Sequence, residues 1–161
     1  MKIGRYVIPW VLLGSFVMPG WAGDRDQLQQ TFEAALERIR EKDTQGLVAY
    51  FHPEAVLFFR DRLFPLDFEQ VGTQGFNDIL ERFFFEVTAA EVRPMDVSYR
   101  VVNDVGLVWG LSQFNVDPKS GGGSNLQSRI SVVFTKVNGA WKILHWHASA
   151  IPSGRTQVVS P

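Results

Sequence analysis

Cysteine is absent from all 161 residues. Its absence removes disulfide staples, a thiolate nucleophile and any zinc site built on thiolates. Histidine is scarce as well, with only His52, His145 and His147. A metal centre rich in imidazole therefore has few ligands to draw on. Neither sign of charge dominates: 16 Lys and Arg stand against 17 Asp and Glu, for a formal net charge of −1. Such a chain carries no electrostatic footprint for nucleic acid or anionic lipid. Long apolar runs are missing too. The longest, Tyr6 to Met18, falls short of the about 20 residues that a spanning helix needs.

What that run does resemble is the core of a secretory signal. Lys2 and Arg5 precede it, and Pro19-Gly20-Trp21-Ala22 follows, with small residues at the −3 and −1 positions of a cleavage site after Ala22. Residues 1–22 thus read as a signal peptide, which predicts a periplasmic or secreted protein; an uncleaved membrane anchor is the alternative. No cysteine follows the run, so a lipoprotein anchor is excluded. Removing Lys2 and Arg5 moves the net charge from −1 to −3. The remaining roughly 140 residues suffice to bury about two-thirds of their unfolded surface in one core. One domain is expected over residues 24–152, followed by a polar, flexible tail over 153–161.

Within that domain Leu28, Phe32, Ala35, Leu36 and Ile39 fall on one face of an amphipathic helix over Asp24 to Lys42. Asp43 is placed to cap a second, shorter helix over Thr44 to Phe51, which Pro53 stops. Ala55 to Phe59 has strand length, and Asp61 to Val71 reads as a loop. A third helix is predicted from about Thr73 to Val87, with Phe76, Ile79, Leu80, Phe83, Phe84 and Val87 at helical spacing. After Pro94 the pattern is β throughout. Val97, Tyr99 and Val101 alternate up to a turn at Asn103-Asp104. A long strand covers Val105 to Val116. Asp117 to Asn125 is a hairpin loop, and strands over Gln127–Val137 and Ala140–Ala150 join at Asn138-Gly139, a strong hairpin signal. No internal repeat is visible. Helices first and a meander of long strands after argue an α+β domain, with the helices on one face of a curved antiparallel sheet.

Three stretches carry a resemblance: DTQGLVAYFHPEAVLFF, GTQGFNDILERFF and RISVVFTKVNGAWKILHWHASAIP. With the first helix ahead of them they cover about Asp26 to Pro152, and they resemble the nuclear transport factor 2-like superfamily. Within it, the chain looks most like the SnoaL-like domains and the association (hub) domain of calcium/calmodulin-dependent kinase II. The resemblance implies a cystatin-like cone, in which about four to six strands wrap three helices from the N-terminal half. It also implies dimers or larger rings, and a small molecule held between sheet and helices. The ketosteroid isomerases of this fold place their catalytic aspartate where this chain has Phe59. Their oxyanion-hole tyrosine falls on Ala35. Neither residue can perform the role, so no catalytic residue of that kind is assigned. Hub domains place a basic residue where this chain has Ala148.

The residues with chemistry gather near the C-terminus. In a strand, His145, His147 and Ser149 point to one face, His145 and His147 about 6–7 Å apart. Two imidazoles can share a metal, but zinc needs three or four ligands, and no third stands at a telling spacing; no metal is assigned. A Ser149–His147 hydrolytic pair would lack the sharp turn that exposes a nucleophile. Their neighbours depend on the hairpin. A two-residue Asn138-Gly139 loop sets them beside Ile130, Val132 and Phe134, whereas a three-residue loop with a bulge at Gly139 sets them beside Arg129, Ser131 and Val133. Patterning favours the second, with Arg129, Ser131, His145, His147 and Ser149 as a polar seam between subunits, and Leu144, Trp146 and Ala148 on the cone side. The ligand-lining candidates are Tyr50, Phe58, Trp109 and Trp146, with Phe76 and Phe83, and with Arg60, Asp61 and Arg62 at the rim. Gly121-Gly122-Gly123 links two strands instead of opening a helix, so it is no phosphate cradle.

The functional expectation is an exported ligand-binding or oligomerisation domain, non-catalytic and without a cofactor. It would self-associate and take a small apolar ligand. The alternatives are an isomerase or hydrolase using His145 or Asp61 on the same fold, or a structural partner of another exported protein.

Overall fold

The computed structural model describes residues 23–58 and 65–151. The expected signal segment, the tail and the Phe59–Arg62 stretch lie outside the described residues.

Helix α1 (Asp24–Glu41) buries Leu28, Phe32, Ala35 and Leu36. Asp24 and Asp26 in its first turn and Arg38 and Arg40 in its last complement the helix dipole. It ends at Lys42, whose left-handed backbone (φ 56°) returns its N–H to the carbonyls of Arg38 and Ile39. Asp43 then caps α2 (Thr44–Val48) by accepting the Gly46 N–H at 2.9 Å. This helix is shorter than expected, because strand β1 (Phe51–Phe58) already begins at Phe51. Pro53 lies inside that strand where its pairing is irregular, so the missing N–H leaves no gap in the ladder.

The predicted loop up to Val71 contains regular structure in its described part, from Pro65 on. It holds the two-residue strand β2 (Leu66–Asp67) and the start of α3 (Phe68–Glu86). Asp67 accepts the Glu69 N–H to cap this early turn, and a kink at Gly72 (φ 68°) separates it from the helix body that the spacing predicts. Strand β3 (Val87–Val102) follows at once. Pro94 does not mark its start, because a bulge between Pro94 and Asp96 carries the strand past the missing donor. Strands β4 (Val105–Pro118), β5 (Ser124–Val137) and β6 (Ala140–Ala150) complete one sheet of order β2-β1-β6-β5-β4-β3. The pairing is antiparallel except between β1 and β6, which run parallel.

The helices cover one face of this curved sheet. Phe32 is the centre of the contact: its ring lies 6.2 Å from Tyr99 on β3, 6.4 Å from Phe134 on β5 and 5.9 Å from Trp146 on β6. Edge-to-face and tilted ring pairs at these distances add to simple burial. One helical side chain thus ties three strands to α1.

The β5–β6 hairpin combines features of both expected registers. Asn138 (φ 51°) and Gly139 (φ 80°) form a two-residue turn, and Val137 pairs with Ala140. The bulge is not at Gly139. It lies at Leu144, since Phe134 pairs with Ile143 while the adjacent Val133 pairs with His145. Before the bulge the odd-numbered Trp141 and Ile143 are buried. After it, Trp146 is buried and His147 is exposed. Leu144, expected on the cone side, is the extra residue and is half-buried.

Two outcomes follow. Deleting Leu144 forces one half of β6 to present its apolar side chains to the exterior, so the variant loses its near-ultraviolet circular dichroism and unfolds without cooperativity, whereas Leu144→Ala keeps both. At Gly110 (φ 151°) an added Cβ would stand 1.9 Å from the backbone oxygen of Asp96. Gly110→Ala is expected to cost about 2–4 kcal/mol, read from the urea midpoint at unchanged slope.

Candidate functional site

A cavity of about 300 Å³ lies between α3 and the concave face of the sheet. Helix α3 contributes Phe76, Ile79, Leu80, Phe83 and Phe84, a row produced by its apolar spacing. Ile39 of α1, Leu47 of α2 and Phe51 and Leu57 of β1 close one side. Val92, Phe114, Leu126, Ile130, Trp146 and Ala148 close the other, from β3 to β6. Phe83 and Phe114 stack with centroids 6.3 Å apart.

Among the described residues only three lining side chains carry a polar atom: Ser112, Ser128 and Trp146. None of the three is titratable. Ser112 on β4 and Ser128 on β5 are register partners, 2% and 4% exposed. Neither hydroxyl makes a hydrogen bond with another described residue. They sit at inward positions of strands whose other inward residues include Val108, Phe114, Ile130 and Val132. A polar residue breaking the apolar alternation was the available signal, and reading by residue type passed over it.

The sequence-predicted candidates divide between this cavity and the opposite face. Trp146, Phe76 and Phe83 line the cavity. Tyr50 does not; it packs against the core, and its carbonyl accepts the Ile143 N–H at 2.8 Å. Phe58 and Trp109 are corrections, because the pleat turns both outward and leaves them 38% and 39% exposed. Arg60, Asp61 and Arg62 lie outside the described residues, as does Phe59. Ala35 is fully buried in α1 and is not part of the lining.

On the outer face the register aligns the residues in rows. Phe58, His147, Ser131, Trp109 and Ser98 form one row across the strands. Ser149, Arg129, Leu111 and Asp96 form the next on one side, and Val56, His145, Val133, Leu107 and Arg100 the next on the other. Arg129, Ser131, His145, His147 and Ser149 therefore share a face. Among the described residues no hydrogen bond joins those five side chains. Ring contacts dominate instead. Phe58 stands 5.9 Å from His145 and 6.0 Å from His147, and the two imidazoles are 6.5 Å apart. The Arg100 guanidinium lies 5.6 Å over the Trp109 ring. Among the described residues no three of His, Asp and Glu stand close enough to hold a metal. No described helix is long and apolar enough to cross a membrane.

Tyr99, on the inner face beside Phe32, is the one described group near the core with a displaced titration. Burial, and secondarily the Glu33 carboxylate, push its phenol above the ordinary value, so it remains neutral at physiological pH.

With this geometry in place, the SnoaL-like domain family matches residues 28–153. The chain belongs to that family. Solved structures share the SnoaL-like domain's architecture at low identity. A candidate aromatic ring hydroxylase from Novosphingobium aromaticivorans superposes with a TM-score of 0.71 at 14% identity, covering 80% of this chain and 90% of its own. A candidate calcium/calmodulin-dependent protein kinase II association domain from Xanthomonas campestris gives 0.61 at 20% identity, covering 82% and 91%. A nuclear transport factor 2-like protein from Cytophaga hutchinsonii gives 0.66 at 18%, covering 81% and 100%. At such identities the likeness is one of fold. No curated protein matches the chain significantly.

The two serines of the SnoaL-like cavity generate a stability test. Removing a hydroxyl that makes a protein hydrogen bond costs about 1 kcal/mol. Ser112→Ala is expected instead to stay within about 0.5 kcal/mol of the native chain, or to exceed it, because no protein bond is lost; chemical denaturation measures the difference.

Proposed function

We propose that this SnoaL-like domain is an exported, non-catalytic binder of a small apolar molecule that assembles with a second copy of itself. The cavity carries the reading. It has the size of small-molecule sites, and its described lining is apolar apart from neutral groups. General acid–base chemistry needs a titratable side chain at the reacting atom, and the lining described here offers none. The leader-like residues 1–22 support export.

Self-assembly rests on a separate observation. The outer face of the sheet exposes Phe58, Trp109, Leu111, Val102 and Val105 together, interleaved with Arg129, Ser131 and His147. Aromatic and arginine side chains at the centre of an apolar patch are the composition of interface hot spots. The candidate association domain among the structural neighbours supports the same reading.

A rival reading is an enzyme on this scaffold, favoured by the candidate aromatic ring hydroxylase among the neighbours. Asp61, outside the described residues, is its remaining acid–base candidate.

Mass spectrometry of an organic extract from natively exported protein is expected to show one enriched neutral compound at near-stoichiometric amount, and peptide sequencing to begin at Gly23. A clean extract, with no compound bound from a metabolite mixture, overturns the binding reading. Conversion of the bound compound by the native chain, lost in Asp61→Asn, establishes the enzyme instead. In sedimentation, the Arg129→Ala/His147→Ala double variant is expected to shift from dimer toward monomer. An unchanged mass would exclude this face as the seam.

A further inference from the structure

We propose that Ser112 and Ser128 form the polar anchor of the cavity, and that its ligand is a neutral, flat body of about two fused rings bearing a single hydroxyl or carbonyl oxygen. The inference rests on the ligand-binding reading above and deepens it by assigning the ligand's chemistry.

Both residues are almost wholly buried, at 2% and 4% exposure, and both border the cavity. As register partners on β4 and β5 their Cβ atoms stand about 5 Å apart. Neither hydroxyl bonds another described residue, so each is free to bond whatever occupies the cavity. Two of them side by side, as register partners, are the polar contact that an otherwise apolar lining offers a ligand. Each can donate one hydrogen bond and accept others. A ligand oxygen between them therefore finds a donor whether it is a hydroxyl or a carbonyl, and a ligand hydroxyl finds an acceptor as well.

The remainder of the lining sets the other properties. Trp146 is the only other described lining residue with a polar side-chain atom, and it too is neutral. An ionised ligand would lose its water and meet no opposite charge among the described lining residues, a penalty that neutral hydrogen bonds do not offset. Size follows from the volume. A dry cavity of ~150 Å³ holds a benzene, and this one has about 300 Å³. Shape follows from the walls. Phe51, Phe76, Phe83, Phe114 and Trp146 present ring faces and edges, which pack best against a flat body.

The probes are naphthalene, 2-naphthol and 2-naphthoate, which share one skeleton and differ in one polar group. Each is titrated into the purified native chain and into the Ser112→Ala/Ser128→Ala double variant. The native chain is expected to bind 2-naphthol about fivefold to tenfold more tightly than naphthalene, the net worth of one neutral hydrogen bond. It should bind 2-naphthoate at least about tenfold more weakly than 2-naphthol. The double variant should bind naphthalene at least as well as the native chain, which shows the cavity intact, and should lose the preference for 2-naphthol. Retention of that preference overturns the anchor, since the serines would then act on nothing but water. Tightest binding of 2-naphthoate overturns the neutral ligand class. If neither naphthalene nor 2-naphthol binds either protein, the ligand-binding reading itself fails, and this inference with it.

Discussion

Between Ile143 and His145, strand β6 carries one residue more than its partner β5, and the two faces of the sheet are defined by that surplus. Side chains in a strand alternate strictly, so one extra residue reverses the orientation of everything beyond it. Without the reversal, Trp141 and Ile143 could not share a face with Trp146 and Ala148. Trp146 closes the cavity and touches Phe32, the aromatic hub of α1. His145 and His147 are turned outward by the same step, against Phe58. The lining of the cavity and the composition of the exterior are thus one structural decision.

The two surfaces that result differ in chemistry. Among the described residues the cavity lining on the concave side is apolar and aromatic, with a cross-strand pair of serines and the Trp146 indole as its polar groups. The outer side mixes arginine, imidazole, hydroxyl and indole with aliphatic side chains in regular rows. Water would compete well for those polar groups, yet the aliphatic and aromatic groups between them gain from being covered. A surface of that mixture suits a partner with matching rows, which is what the proposed self-assembly would supply.

Much of the fold was legible because helical and strand periodicities are long and clean in this chain. Leu28 to Ile39, Phe76 to Phe84 and the alternating β strands all fall where the spacing puts them. The errors sit at proline and at bulges. Pro53 and Pro94 look like boundaries, but each lies where a strand is already irregular and needs no donor. The location of the β6 bulge was not legible either. The Asn138-Gly139 turn and the His-x-His pattern cannot both be satisfied by a regular hairpin, so a bulge was required. Only the burial of Trp141, Ile143 and Trp146 in one core fixes it at Leu144. For the site, residue type misled: Trp109 and Phe58 have the bulk of pocket residues but the parity of surface ones. Ser112 and Ser128 look innocuous, and their importance lies wholly in the face they occupy.

The parallel pairing of β1 with β6 has a consequence for how the molecule comes into being. Val56, Leu57 and Phe58 are laid down early in synthesis, and His145, Trp146 and His147 are almost the last residues of the domain. Leu57 and Phe51 wall the cavity on one side of this seam and Trp146 on the other. No N-terminal fragment can complete the wall, and the entropic cost of closing so long a loop falls late. The chain therefore stays open until its C-terminal strand arrives. Under the export proposed above, that order of events keeps the stable state out of reach until the whole sequence has been made.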